Sequence, residues 1–274
     1  MKNIYRIAGL LCLFICCKTS FAGNILGAEI TYKHVAGDSF DVSLRVYRDC
    51  NGSGTIDPTV EISNTCTTYN QSLALISSRD ATGIPQNCPQ QSKCSSGSFK
   101  YGIEERIYRD RVKLDSGSCN YYNLCWTRDS LSDSITTGYA GQPLFVCAYI
   151  ALSANPANSS AEFNFPPKFF LNYGKDAHIN LSAADIDADS VSYELVGFNS
   201  TVWMPSYPYS RPFTYLGFPI TSLNFPAGIH LDSSFGILRF RPVSKGQVGV
   251  YSVRVKEWRK IAGVATVVGM VSRL

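Results

Sequence analysis

Residues 28 to 50 read AEITYKHVAGDSFDVSLRVYRDC, and this stretch decides the fold class. From Phe40 to Val46, every second residue is apolar and the residues between are polar. A period of two is typical of a strand with one buried face. The run Ala28–Val35 is joined to it by four residues that include Gly37. Two strand-like runs with a short connection predict a β-hairpin.

The same period recurs along the rest of the chain. Further predicted strands are Ser72–Ser77, Gly102–Leu114, Leu144–Leu152, His178–Ala183, Val191–Phe198, Gly236–Arg241, Val248–Trp258 and Val264–Ser272. Clusters of Gly, Pro, Asn and Ser separate them, and no convincing amphipathic helix of ten residues occurs. We therefore predict an all-β protein built from two β-sandwich domains in tandem.

The N-terminus has the layout of a secretory signal peptide. Lys2 and Arg6 precede the apolar run Ile7–Cys17, and small residues lie at the end of the segment up to Ala22. Cleavage after Ala22 is therefore expected, with residues 1–22 removed and the protein exported.

Removing this segment changes the bulk properties. The formal net charge of +4 becomes +1, because the segment holds three basic residues and no acid. The basic balance thus gives no reason to expect a nucleic-acid partner. No later apolar stretch approaches the roughly 20 residues of a membrane-spanning helix. About 250 residues remain, which favours two domains, 23–160 and 166–274, with the boundary near the polar segment Ser153–Pro167.

Seven cysteines remain after the signal peptide, all before residue 148. In an exported protein such cysteines predict disulfides in the first domain. The disulfide candidates are Cys50, Cys66, Cys88, Cys94, Cys119 and Cys125. Connectivity does not follow from sequence, but the spacing favours Cys88–Cys94, Cys119–Cys125 and Cys50–Cys66. Cys147 lies in the apolar run LFVCAYIAL and is expected to be a buried free thiol.

Three aspartates, Asp185, Asp187 and Asp189, stand at every second position before the strand Val191–Val196. Carboxylate oxygens are the ligands that calcium prefers. The three could meet at one ion only if the backbone curls, since alternate residues of a straight strand lie roughly 6.6 Å apart. The EF-hand pattern does not fit, because its Gly and Glu positions hold Ser190 and Val196. The alternative is a set of solvated turn residues.

The segment Trp203–Pro219 contains six aromatic residues and four prolines. Proline keeps such a stretch extended, and its rings could stack on sugar faces or dock a partner. The candidate ligand-binding residues are Trp203, Tyr207, Tyr209 and Phe213. The favoured alternative is a long loop that packs its rings over its own sandwich, since large exposed aromatic patches are uncommon.

The motifs of common enzymes are missing from the sequence. The histidines His34, His178 and His230 lie far apart, and no nucleophile elbow, phosphate-binding loop or dinucleotide fingerprint occurs. A glycosidase needs only two acids about 5–9.5 Å apart in space, so a hydrolase with an unrecognised acid pair stays a minor hypothesis. We expect the protein not to be an enzyme.

Five segments in order resemble one known group of proteins. They are GAEITYKHVAGDSFDVSLRVYRDCNG, GIEERIYRDRVKL, NSSAEFNFPP, LSAADIDADSVSYELVG and FGILRFRPVSKGQVGVYSVRVKEWR. Together they resemble the N-terminal region of large secreted surface proteins of the Bacteroidota, often labelled gliding-motility-associated. The second half also resembles cadherin-like or immunoglobulin-like modules, in which an aspartate loop precedes a strand.

The resemblance implies a non-enzymatic secreted or cell-surface protein of the structural or adhesive class, associated with the outer membrane or the extracellular space. Its partners would be further sandwich domains of a longer protein, or a surface protein or glycan; the alternative function is a carbohydrate-binding module. Two departures stand out. Ala188 occupies a position where the family pattern has Gly, and residues with a Cβ are disfavoured at positive φ. The chain also ends at Leu274, where the pattern continues; this predicts a truncated second domain with an open valine-rich edge strand.

Overall fold

The computed structural model describes residues 24–52, 54–83, 91–115, 119–128, 130–198, 204, 206–216 and 228–274. Its strands up to the predicted boundary are β1 (Ile25–Ala36), β2 (Ser39–Asp49), β3 (Thr59–Ser63), β4 (Thr68–Ser72), β5 (Ala74–Asp80), β6 (Ile103–Lys113), β7 (Tyr122–Arg128) and β8 (Leu144–Ile150). The later strands are β9 (Glu162–Phe163), β10 (Ala177–Asn180), β11 (Ala183–Ala184), β12 (Ser190–Val196), β13 (His230–Leu231), β14 (Ile237–Phe240), β15 (Ser252–Ile261) and β16 (Val264–Arg273). A 3-10 turn covers Lys93–Ser95.

The prediction of an all-β protein is confirmed. The strands pair antiparallel, and the largest sheet runs in the order β4-β3-β7-β8-β16-β1-β2-β6-β5, with β15 on β16 and β12 on β15. Two small sheets, β10-β14-β13 and β11-β9, complete the arrangement. Within the described residues, no helix is long and apolar enough to cross a membrane.

The predicted hairpin forms from β1 and β2. Their pairing continues to Ala36 opposite Ser39, so only two residues make the turn instead of the four expected. Gly37 takes φ +53° in this turn, a left-handed conformation that glycine adopts without steric cost. Along β2, the side chains Phe40, Val42, Leu44 and Val46 are fully buried, as the alternation predicts.

The last strand lies inside the large sheet. β16 pairs with β15 along its length, with β8 through residues 269–271, and with β1 through Arg273 opposite Glu29. The expectation that this valine-rich strand is an open edge is therefore wrong, because the start of the chain and the strand β8 cover it. Strands from both sides of the predicted boundary share this sheet, so the division into domains 23–160 and 166–274 is not confirmed.

The two halves of the chain also share one hydrophobic core. Fully buried side chains include Ile30 of β1, Trp126 of β7, Val146 of β8, Leu238 of β14 and Val255 of β15, and all belong to one continuous apolar cluster. Each of them occupies an inward-facing position of its strand. Burying such a side chain contributes roughly 1.5–3 kcal/mol or more relative to exposure, so the two halves of the chain stabilise one another.

Three disulfides join the described cysteines, but not in the predicted pairs. The bonds are Cys50–Cys94, Cys66–Cys119 and Cys125–Cys147. The predictions of Cys50–Cys66, Cys119–Cys125 and Cys88–Cys94, and of a free thiol at Cys147, are therefore wrong; Cys88 itself lies outside the described residues.

Strand pairing explains the difference. Cys125 of β7 and Cys147 of β8 are direct cross-strand neighbours, although 22 residues separate them in sequence. Cys66 lies in the turn between β3 and β4, and Cys119 just before β7. Cys50 follows β2 and meets the 3-10 turn that contains Cys94. Proximity along the chain was the wrong criterion, because the sheet brings distant segments together.

Candidate functional site

The three aspartates lie in a tight turn between β11 and β12. The carboxylate Oδ1 of Asp185 accepts hydrogen bonds from the backbone N–H groups of Asp187 at 2.9 Å and Asp189 at 3.0 Å. The turn needs a left-handed residue, and Ala188 supplies it with φ +62°. The backbone therefore curls between the aspartates, although the left-handed position holds alanine instead of glycine.

Most of the aspartate oxygens already have partners. Asp187 Oδ2 accepts a hydrogen bond from the Ser159 N–H at 2.6 Å. Arg259 on β15 donates through Nε and Nη2 to the two oxygens of Asp189, at 2.6 and 2.9 Å. Asp185 Oδ2 differs, because it is buried and none of the described residues donates a hydrogen bond to it. Unpartnered buried oxygens of this kind are costly, so this atom is the open position of the turn.

A fourth acid, Glu257 of β15, belongs to the same cluster. Its side chain is fully buried, with Oε1 accepting from the Ala161 N–H at 2.8 Å and Oε2 from Asn158 Nδ2 at 2.7 Å. The same Nδ2 donates to the Tyr32 hydroxyl, which itself donates to a backbone carbonyl. The segment around Asn158 is thus fixed against β1 and β15 together.

The charges in this cluster influence one another. Burial raises the pKa of Glu257 to about 7, and the charges of Asp185 and Asp189 add to the rise. Burial also raises the pKa of Asp185, again with contributions from the neighbouring acids. The cluster therefore favours either a bound proton or a nearby cation. Among the described side chains, however, no three His, Cys, Asp or Glu residues are arranged to hold a metal ion.

The structure describes three of the four candidate ligand-binding residues, and these three do not form one exposed aromatic surface. Phe213 stacks on the buried Phe240 with ring centroids 5.1 Å apart. The Tyr207 hydroxyl lies 3.1 Å from Gln247 Nε2, which donates to it. Tyr209 is 48% exposed, and Trp203 lies outside the described residues. Phe213 and Tyr207 thus pack against the body of the protein, and the carbohydrate-binding alternative stays a prediction.

The sequence analysis missed Glu257, Asn158 and Arg259. One signal was present in the sequence. Glu257 follows Val253 and Val255 at alternate positions, so it occupies the inward face of a predicted strand. An acid at such a position must find partners or remain protonated, which marks it as unusual. No local signal pairs it with Asn158, which lies 99 residues earlier.

Comparison with known proteins identified no relatives. Family models, curated proteins and solved structures were each searched, and none matched this chain.

Proposed function

We propose that this chain is a non-enzymatic, exported protein of the structural or adhesive class, presented outside the cell or at its surface as the N-terminal part of a larger protein. The observation that carries the proposal is the set of three disulfides. Disulfides form and persist in oxidising compartments and are rare in the reducing cytosol. The signal-peptide pattern at residues 1–22 supports the same compartment.

The contacts that the acidic side chains make within the protein support a structural role for these side chains. Asp189 is held by Arg259, Asp187 by the Ser159 backbone and Glu257 by Asn158 and Ala161. Each contact ties one segment of the chain to another. A general acid or base must instead reach a substrate proton, and these oxygens are already committed to the protein.

The test combines localisation with binding. Intact cells of the source organism, labelled with an antibody against the purified chain, should be stained, and the staining should disappear after brief protease treatment. The mature protein should begin at Gly23 by intact mass. Beads coated with the oxidised chain should bind the source cells more strongly than beads coated with reduced and alkylated chain. A cytoplasmic protein that retains Met1, or turnover in a glycosidase and esterase screen, would overturn the proposal.

A second candidate function is a calcium-stabilised extracellular module. The observation that favours it is the buried and unpartnered Oδ2 of Asp185 inside a turn curled by Ala188. Asp185 would supply one hard oxygen ligand through Oδ2. Asp187 and Asp189 would join it after releasing their contacts with Ser159 and Arg259, and water and backbone carbonyls would complete the six to eight oxygens that calcium takes. Thermal unfolding with and without calcium tests it, as set out in the Discussion.

A further inference from the structure

The outer side of the strands β1, β2 and β6 carries an excess of basic side chains. Alternate residues of β2, from Phe40 to Val46, point into the core, so the residues between them point outward. The register places Lys33 of β1 and Arg111 of β6 on either side of Asp41. We call this surface the basic face, and its eight positions are Thr31, Lys33, Ser39, Asp41, Ser43, Arg109, Arg111 and Lys113.

The basic face differs in charge from the chain as a whole. Of its eight residues, four are basic, one is acidic and three carry hydroxyl groups. All four basic side chains are exposed. Four bases and one acid leave a formal charge of +3 on this face, although the whole chain after residue 22 carries only +1. Positive charge is therefore concentrated here, and such a concentration attracts anions from solution.

The cations of the basic face are accessible to an incoming anion. Arg111 donates through Nε to Asp41 Oδ1 at 2.8 Å and through Nη2 to Oδ2 at 3.3 Å, and this is the one ion pair of the face among the described residues. Arg109 Nε donates to the Ser43 hydroxyl at 2.8 Å, so a neutral group and not an acid accepts its hydrogen bond. Water solvates these exposed cations, and an anion can replace that water.

The basic groups act together on the acid between them. Hydrogen bonds from Arg111 lower the pKa of Asp41, and the charges of Arg111, Arg109 and Lys33 lower it further. Basic groups on both neighbouring strands are thus close enough to stabilise a negative charge at the centre of the face. An anion that lies over the face is stabilised by the same charges.

The spacing of the cations suits a long anion. Successive outward residues of an antiparallel strand lie roughly 6.8 Å apart, and neighbouring strands lie about 4.8 Å apart. Arg109, Arg111 and Lys113 therefore follow one another along β6 over about 14 Å, and Lys33 lies about 10 Å away across β2. A polymer that repeats its negative charge can contact several of these groups at once, whereas a small anion contacts one or two.

The other residues of the face favour a carbohydrate. Thr31, Ser39 and Ser43 have hydroxyl groups that can donate hydrogen bonds to sugar hydroxyls and accept them. The eight positions hold no aromatic residue on which the bases of a single-stranded nucleic acid could stack. They also hold no large apolar side chain that could enter a lipid bilayer. Carboxylates suit the two arginines, because hydrogen bonds between guanidinium and carboxylate are charge-assisted.

We propose that the basic face binds an acidic polysaccharide, whose carboxylates pair with its two lysines and two arginines and whose hydroxyls bond to its serine and threonine side chains. The choice of an extracellular polymer rests on the proposed function, which places the protein outside the cell. The face includes neither the aspartates of the turn nor the aromatic candidates, so the site is separate from both.

The test uses the purified mature chain with its disulfides intact and two matched probes. These are polygalacturonate and fully methyl-esterified polygalacturonate, in which the same sugars carry no charge. Titration calorimetry is carried out with chelator, so that calcium contributes nothing. The acidic polymer should bind saturably and at least tenfold more tightly than the ester. Raising the salt concentration from about 50 to 200 mM should weaken its binding about tenfold, because binding to a polyanion releases counterions.

Matched variants locate the binding. Lys33→Gln combined with Arg109→Gln removes two charges from the face and should weaken polygalacturonate binding at least tenfold. Lys245→Gln combined with Lys260→Gln removes two charges from exposed positions outside the three strands, and it should leave binding within twofold. Asp41→Asn removes the acid of the face and should strengthen binding about threefold, since the net positive charge rises. Loss of folding cannot produce such a gain.

Several results would overturn the proposal. They are absence of saturable binding, equal affinity for the acid and its ester, equal weakening by the two double variants, and no gain from Asp41→Asn. Tighter binding to a DNA duplex or to phosphatidylglycerol vesicles than to polygalacturonate would overturn it in favour of a nucleic acid or a membrane. Binding by the purified chain does not depend on where the cell places it, so a negative result would leave the proposed export intact, and the localisation test addresses export separately.

Discussion

Glu257 and Gly269 face one another across β15 and β16, and the carboxylate of Glu257 fills the space that a side chain at position 269 would occupy. A Cβ built on Gly269 would collide with Glu257 Oε2 and with the Tyr32 hydroxyl. Glycine is therefore required at this point of β16 by close packing, and not by an unusual backbone angle. The buried side chain of Glu257 thus packs into the space that Gly269 leaves open.

Gly269→Ala should destabilise the protein by about 3 kcal/mol, because overpacking a filled site forces displaced side chains and backbone. The free energy of unfolding in urea measures it. Gly197→Ala is the matched control, since a Cβ at that glycine meets no atom within 4 Å. Equal stability of the two variants would mean that Glu257 and Tyr32 move aside freely.

The stability of the protein should fall as the pH rises from about 5 to 7. Burial raises the pKa of Glu257 to about 7, so the folded state binds a proton that the unfolded state has released above its ordinary pKa of about 4.3. Stability then decreases through this window and levels off above pH 7. The total change is up to about 3 kcal/mol, from 1.36 kcal/mol per pKa unit.

Denaturant unfolding at several pH values, with chelator present, measures this dependence. Glu257→Gln should flatten the profile between pH 5 and 7 because it removes the titrating group. Glu61→Gln, at an exposed position of β3, should leave the slope as it is. If the free energy of unfolding of the unaltered protein did not change between pH 5 and 7, the raised pKa of Glu257 would be contradicted.

Calcium should raise the melting temperature if the aspartate turn binds it. An extracellular site with Kd of roughly 10⁻⁴–10⁻³ M gains about 1.4–2.7 kcal/mol in 10 mM calcium over chelator, from mass action. Asp185→Asn should remove the shift, since it removes the charge at the open oxygen. Asp232→Asn is the control, because Asp232 holds a similar turn through the N–H groups of Ser234 and Phe235. An unchanged melting temperature would leave the three aspartates as turn residues.

Ala188→Gly should stabilise the protein by about 1 kcal/mol. Ala188 has φ +62°, and a left-handed residue with a Cβ costs roughly 1–2 kcal/mol. Ala184→Gly, in the neighbouring strand β11, should have the opposite sign, since glycine in a strand loses more backbone entropy on folding. Thermal unfolding of both variants in chelator separates this backbone effect from any effect of calcium. Destabilisation by both would show that the left-handed angle carries no strain.

Peptide mapping of the oxidised protein should recover Cys50–Cys94, Cys66–Cys119 and Cys125–Cys147. Seven cysteines follow residue 22 and six are bonded, so one titratable thiol per mature chain is expected. In the chain-entropy model, the bond that spans 53 residues contributes about 4 kcal/mol and the bond that spans 22 about 3 kcal/mol. Pairing of Cys119 with Cys125 would restore the expectation from spacing.

Several strands were predicted well from sequence segments in which apolar residues alternate with polar ones. The run SVSYELV of β12 alternates polar and apolar residues, and its bounds, Ser190–Val196, agree with the predicted Val191–Phe198 to within two residues. The short strands β3 and β4 were missed, because five residues carry too little alternation to stand out from a loop. The strand β7 was missed as well, although its seven residues alternate. The curl of the aspartate turn was named only as a condition for cation binding, and Ala188 counted against it, yet Ala188 takes the left-handed angle.

The partners of Glu257 and the disulfide pairs could not be predicted, because they depend on which distant segments pair in the sheet and in which register. The partners of Glu257 come from residues near 158 and from Gly269, and only the pairing of β15 with β16 brings them together. The predicted disulfide pairs were wrong for the same reason. Sequence spacing measures distance along the chain, whereas the sheet order decides distance in space.

The ion pair between Glu29 and Arg273 joins residues 244 positions apart, and this has a consequence for the timing of folding. The hairpin of β1 and β2 can form as soon as both strands exist, but β1 must wait for β16 before its second neighbour arrives. Closing so long a loop slows the folding rate. During that interval β1 exposes unpaired N–H and C=O groups, and a second chain can occupy the place that β16 will take.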